Sequence, residues 1–368
     1  MNNVGRSLVG LAAIALALLV VLSFDVTAAG QAPPYATFPP IHGKHVAKDA
    51  YVNPYNSYTS GAYVNPYNSY TSPPAPTGIA DYGLYNYSST GGPIIPYTIM
   101  TDEVLGYANI TSLLAYYQQA MEYGVSPYSA TLQLNVVLQV NTTNGTYAYW
   151  LQDVASFQTN ESQVTFIDNI WNLTGSGSML SSSAVSGNGT VASAGQGNTF
   201  YYDVGPTYTY SFPFAFVLVI NVSYTPNATY IWFGFEILQN GTPVSSPQYY
   251  YYDEVEISQP GIVSAAIYIT GNNYTPNGLY YDAELVWGGG GNGAPTQFVY
   301  LNSTLGLYYV NSTGNLTPMP SLYTFGSDTA ESAYNVNDSL VNGVPNADAG
   351  NEWLGVLTND FNVYLISG

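Results

Sequence analysis

Residues 131–140 read TLQLNVVLQV and residues 146–157 read TYAYWLQDVASF, with NTTNG between them at 141–145. Two runs rich in β-branched and aromatic residues around an Asn-Gly turn predict an antiparallel hairpin. The same pattern repeats outward from this stretch. Further β-rich runs occupy 163–171, 211–224, 228–238, 248–257, 262–270, 279–287, 298–310 and 352–366, separated by NG, GNG, PNG and SGNG turns. One segment reads as helix, Thr111 to Tyr123, with Leu114, Tyr117 and Met121 at helical spacing and Gly124 as its stop. The expected fold is all-β: a large β-sandwich, or two stacked antiparallel β-domains, with one short helix near 111–123.

Charge sets the conditions under which such a body can work. The chain carries 3 Lys and Arg against 22 Asp and Glu, a formal net charge of -19. The basic residues are Arg6, Lys44 and Lys48, and both histidines, His42 and His45, fall in the same early region. From Asp49 onward there is no basic side chain at all. Such a body has no side-chain ion pairs to lose in acid. Near pH 2 its carboxyls, with ordinary pKa values of about 4, are mostly neutral, whereas a chain of mixed charge would become strongly cationic. Charged residues total only 7%, too few for a halophile's carboxylate coat, and 38 tyrosines supply hydrogen-bonding groups that ignore pH. The composition reads as adaptation to acid. Nucleic-acid binding by the body is excluded, because nothing there can neutralise phosphate.

Arg6 precedes an apolar run from Leu8 to Phe24, followed by small residues at Thr27, Ala28 and Ala29. Residues 1–29 therefore read as a secretory signal, and the protein is expected to be extracellular, with no stable membrane insertion once the signal is removed. Residues 30–76 read as a Pro- and Tyr-rich leader or pro-segment containing a near-perfect 12-residue duplication, AYVNPYNSYTSG then AYVNPYNSYTSP. Its Lys44, Lys48 and histidines are candidates to pair with site carboxylates at neutral pH and to release them in acid. Residues 77–368 form the expected catalytic body. Export fits the N-x-[ST] sequons at Asn86, Asn109, Asn141, Asn144, Asn160, Asn172, Asn188, Asn221, Asn227, Asn240, Asn273, Asn302, Asn311, Asn315 and Asn337. With no cysteine, stability has to come from the core and from hydrogen bonds.

A body without His, Cys or Lys cannot build Ser-His-Asp or Cys-His arrangements, histidine metal sites or Schiff bases. Carboxyl groups remain, aided by Gln, Tyr and Ser, and no metal or cofactor is implied. Two acids of unequal pKa can divide the labour of base and acid. The richest segment is YYDAELVWGGGGNGAP at 280–295: in a strand, Asp282 and Glu284 share one face. GSDTAES at 326–332 brings Asp328 and Glu331 near a turn. Asp153 beside Gln152 in YWLQDV and Glu236 in WFGFEIL lie in aromatic or apolar strands, where burial raises a carboxyl pKa. Asp168 in FIDNIWN reads more simply as a turn or cap residue.

Long strings of this sequence resemble the thermopsin family. Among them are SLLAYYQQAMEYGVSPYSATLQLNVVLQVNTTNGTYAYWLQDV, FIDNIWNLTGSGSMLSSSA, NNYTPNGLYYDAELVWGGGGNGAPTQF and PSLYTFGSDTAESAYNV, and the likeness runs from about residue 50 to the C-terminus. The resemblance implies a secreted acid endopeptidase of hot-acid archaea, aspartic-type by behaviour, made with a signal and pro-segment. It implies a preference for large apolar residues around the scissile bond. The chain lacks a pepsin-like pair of Asp-Thr/Ser-Gly motifs, and the duplicated leader unit departs from the single copy expected of the family. A smaller likeness, AELV at 283–286, resembles the Ala-Glu-Trp-Ile stretch of glutamic peptidases, which use a Glu and a Gln on a β-sandwich. Glu284 is thus the first catalytic candidate, completed by Asp282, Asp153 or Asp328 in an aspartic-type scheme and by Gln152 or Gln239 in a glutamic one. The expectation is a monomeric endopeptidase acting on proteins and peptides. The rival readings are a surface-layer or adhesive glycoprotein and a two-carboxylate β-sandwich glycosidase.

Overall fold

The hairpin forms in unbroken antiparallel register, Ser129–Thr142 against Gly145–Gln158, from Ser129 opposite Gln158 to Thr142 opposite Gly145. The Thr142 hydroxyl closes the turn, accepting from the backbone N–H groups of Asn144 at 3.1 Å and Gly145 at 3.2 Å. The computed structural model describes residues 76–81, 84–86, 94–96, 98–238, 248–270, 275–319, 321–326, 329–341, 344–349, 354–358 and 364–366. The expected signal, the leader up to residue 75, Asp328, Gln239, Asn240 and Asn273 lie outside the described residues.

Among the described residues, two large sheets of 12 and 10 strands carry the fold. In the first, the hairpin is flanked on one side by Gln163–Asn172, Asn198–Thr209 and Thr190–Gly195. On the other side lie Ala283–Gly288, Thr77–Asp81 and Ser321–Phe325. The second runs Val336–Val341, Val344–Ala349, Thr296–Val310, Glu103–Ala115, Phe214–Thr225, Ala228–Leu238, Tyr250–Ser258 and Val185–Ser186. Strands from both halves of the sequence interleave in each sheet, so the body is one sandwich rather than two stacked domains.

Alternation along the strands builds the core. Leu132, Leu134, Val136 and Leu138 face inward, as do Leu151, Ala155 and Phe157. Facing strands contribute Phe216, Phe233 and Phe235. Phe166 of the first sheet stacks on Phe235 of the second with ring centroids 3.7 Å apart and planes 2° from parallel. Aromatic pairs of this kind replace the ion pairs and disulfides that the sequence cannot make.

The helix is present but shorter than the sequence reading. Glu103–Ala115 is a strand, and only Gln118–Tyr123 turns, as a 3-10 helix ended by Gly124 at φ 75°. Leu114 and Met121 do not share a buried helical stripe, since Met121 is exposed. Leu113 and Ala115 are buried on the strand instead, paired with Leu301 and Phe298 of Thr296–Val310. Tertiary pairing decides against the helical spacing there. Among the described residues no helix is long and apolar enough to cross a membrane.

Candidate active site

The two faces of the hairpin hold two different carboxyl sites. Residues directly opposed across antiparallel strands point to the same face. Glu284 lies opposite Asn135, which lies opposite Gln152. Leu285, one residue on, lies opposite Leu134, which lies opposite Asp153. Because Leu134 and Leu285 belong to the core, Asp153 points into the sandwich while Glu284 and Gln152 point to the outer face.

On the outer face Glu284 is fully buried. Asn135 Nδ2 donates to its Oε2 at 3.2 Å. Gln152 Nε2 donates in turn to Asn135 Oδ1 and to Gln133 Oε1, both at 3.0 Å, and Gln133 Nε2 donates to Thr131 Oγ1 at 2.8 Å. A file of amides thus ends on a carboxyl. Gly326 lies directly above: a Cβ there would stand 2.7 Å from Glu284 Oε2, so only glycine allows this approach. Further along the same segment, Glu331 accepts from Gly293 N–H at 2.9 Å and from the Thr329 hydroxyl. Gly326, the first residue of the GSDTAES segment singled out in the sequence, therefore packs against Glu284. Asp282, also fully buried, precedes the strand Ala283–Gly288 at a fork where Ser129–Thr142 changes partner from that strand to Ile262–Thr270. Glu236, buried and with its pKa raised by burial, sits opposite Val217, on the outward face of the second sheet and away from both carboxyl sites.

Inside the sandwich the register lines up acids. Asp153 is opposite Asp168, and Asp168 is opposite Asp203, so three neighbouring strands present three carboxyls to the interior. A fourth, Asp253, comes from the facing sheet. The strand Tyr250–Ser258 shifts register against Ala228–Leu238 between Phe233 and Gly234, which leaves Tyr252 as an extra residue. That bulge lets both Tyr252 and Asp253 reach inward. Tyr252 Oη donates to Asp153 Oδ1 at 2.8 Å, and Val219 N–H donates to its Oδ2 at 3.2 Å. Tyr201 Oη donates to Asp253 Oδ2 at 2.6 Å, and Asn188 N–H donates to Oδ1 at 2.9 Å. Tyr201 is itself fixed by Gly189 N–H at 2.7 Å.

Oxygens of Asp168, Asp203 and Asp253 all lie within 4.8 Å of one another. Burial pushes Asp168 well above the ordinary carboxyl range, and the charges of Asp253, Asp203 and Asp153 push it further. Asp153 is raised for the first of these reasons, partly offset by its hydrogen bonds. Burial also lifts both phenols far above their usual range, so Tyr201 and Tyr252 stay protonated donors. Asp203 is half-buried and connects the cluster to solvent.

Of the sequence candidates, the structure unites Asp153 with Asp168 and separates both from Glu284. Asp203 and Asp253 were not singled out. A signal for them exists, because YYD occurs three times, at 201–203, 251–253 and 280–282, and two of the copies feed this cluster. The sequon Asn144, Asn160, Asn227, Asn302 and Asn315 side chains are exposed, whereas Asn221 Nδ2 is engaged by Glu103 at 2.6 Å.

Together these features define an all-β protein whose only acid–base groups within the body are carboxyls and phenols. A family model described as Thermopsin matches residues 62–336. Thermopsin of Sulfolobus acidocaldarius is 63% identical over 325 residues, covering 88% of this chain and 90% of that protein. The chain belongs to the thermopsin family, a family of acid proteases.

Proposed function

We propose that the protein is a secreted endopeptidase of aspartic type, active at low pH and high temperature, with its catalytic centre at Asp168 and Asp253. The observation that carries this reading is the interior trio of carboxyls within 4.8 Å of one another, with unequal surroundings. Asp168 is surrounded by other acids and keeps its proton. Asp253 accepts hydrogen bonds at both oxygens. Pairs of acids in unequal environments divide into acid and base.

In this mechanism Asp253 takes a proton from water as its oxygen attacks the peptide carbonyl, and Asp168 gives its proton to the carbonyl oxygen. The resulting gem-diol collapses when Asp253 protonates the amide nitrogen and the C–N bond breaks. Asp168 recovers its proton from a diol hydroxyl, and both carboxyls return to their starting states. Tyr201 positions Asp253. Substrate enters from the side of Asp203. Export rests on the signal pattern at 1–29, and a preference for large apolar residues rests on the family resemblance.

A second reading places catalysis at Glu284, with Gln152 as the assisting amide. Asn135 favours it by joining the two, accepting from one and donating to the other. Hydrolysis of an unfolded protein across pH 1–7 decides between them. Loss of activity in Asp168→Asn and Asp253→Asn with retention in Glu284→Gln supports the interior centre, and the converse moves the site to the outer face. Absence of peptide cleavage by the parent protein at every pH returns the chain to the glycoprotein or glycosidase readings.

A further inference from the structure

We propose that Asp168, Asp203 and Asp253 also form a binding site for a hard divalent cation such as calcium, filled when the carboxyls are ionised and emptied by acid. Oxygens bound to one calcium at about 2.4 Å lie on a sphere roughly 4.8 Å across. One oxygen from each of the three aspartates meets that condition. Every donor is oxygen, without imidazole or thiolate, which suits calcium or manganese and disfavours zinc. Asp203, half-buried, leaves room on the solvent side for the waters that complete the coordination sphere.

Asp168 supplies an independent reason. Its side chain is wholly buried, the strand register aims it into the cluster, and neither of its oxygens has a hydrogen-bond partner. Only the Asp203 backbone N–H leans toward it, outside hydrogen-bonding geometry. A buried acceptor in that state needs a proton or an ion. The groups facing it are Asp153 from its neighbouring strand, Asp203 and Tyr201 from the other neighbour, and Tyr252 and Asp253 from the facing sheet. All are acids or phenols, and no Lys, Arg or His exists beyond residue 48 to balance them. Proton and cation therefore compete for the same oxygens. The consequence for turnover rests on the catalytic reading above: a bound cation would hold the enzyme idle near neutrality, and acid would release it. The binding itself rests on the cluster alone.

Thermal unfolding of the purified full-length protein, with and without millimolar CaCl2 at pH 6.5 and pH 3, tests the site. Calcium is expected to raise the midpoint by roughly 5 °C at pH 6.5 and by nothing measurable at pH 3. The shift should vanish in Asp168→Asn and in Asp203→Asn, the second being half-exposed and therefore tolerant of change. Glu122→Gln, an exposed acid elsewhere, should keep it. A shift of the same size in both Asp variants, or no shift at either pH, overturns the proposal. Casein hydrolysis at pH 5 then separates the two claims. Inhibition by calcium supports both, and a midpoint shift without inhibition keeps the cation site while removing the catalytic role of the cluster.

Discussion

Two carboxyl sites lie back to back on the same strands, and they are held in opposite ways. Glu284 ends a file of amides, each of which has a hydrogen to give. Asp168 is ringed by acids, which have hydrogens to give only when protonated. The first environment offers the carboxyl a hydrogen-bond donor, whereas the second is comfortable only in acid. Burial is the first cause of the raised pKa of Asp168, and the charges of the neighbouring acids add to it.

The sharpest way to break this contrast is to remove one charge from each side. Asp253→Asn should lower peptidase activity at pH 2–3 by about 10³-fold, in the range for loss of a general base. Glu284→Gln, which keeps the shape and the hydrogen-bonding capacity of the outer face, should change activity by less than about 3-fold. Measured kcat/KM values on one peptide substrate settle the matter, and a reversed pattern relocates the chemistry to the amide file.

Stability should follow pH in the direction opposite to that of most proteins. Asp153, Asp168 and Asp338 are all held well above the ordinary carboxyl range, each first by burial. A carboxyl with a raised folded-state pKa binds its proton more tightly in the folded chain. Its stabilisation is complete below the unfolded value near 4 and is lost as pH rises through the folded value. The slope reaches about 1.4 kcal/mol per pH unit for each such group. The unfolding midpoint in EDTA should therefore be higher at pH 3 than at pH 7, and Asp168→Asn should flatten the decline. A midpoint that climbs from pH 3 to pH 7 would show that these acids are solvated in the folded state.

Much of this arrangement could be read locally and some could not. The hairpin followed from strand composition and an Asn-Gly turn, both confined to 27 residues at 131–157. The absence of basic residues defined the available chemistry without any structure. Thr111–Ala115 misled because Leu114, Tyr117 and Met121 fit a helical spacing while the strand pairing that overrides it comes from residues about 190 positions away. The acid cluster was hidden for the same reason. Asp153, Asp168 and Asp203 align only through register across three strands, and Asp253 joins them through a bulge. The strand Asn198–Thr209, which carries Asp203, is partly buried along most of its length and lacks the clean in-and-out alternation that marks a strand with one buried face. Asp168 in FIDNIWN looked like a turn or cap residue because Asp favours such positions, and its acidic partners lie on other strands.

Single hydrogen bonds offer a finer version of the same comparison. Asn135→Leu at pH 3 should cost about 2–3 kcal/mol in urea unfolding, because it leaves the buried Glu284 Oε2 and Gln152 Nε2 each short of a partner. Tyr252→Phe removes only the phenol that donates to Asp153 Oδ1. At pH 3 Asp153 holds its own proton and can turn it toward another acceptor, so the loss should be about 1 kcal/mol. Once pH rises far enough to ionise Asp153, the same phenol supports a carboxylate, and its removal should cost more. The ratio of the two penalties should therefore narrow as pH rises. Penalties for Tyr252→Phe that are equal at pH 3 and pH 7 would mean that Asp153 does not change its protonation over that range.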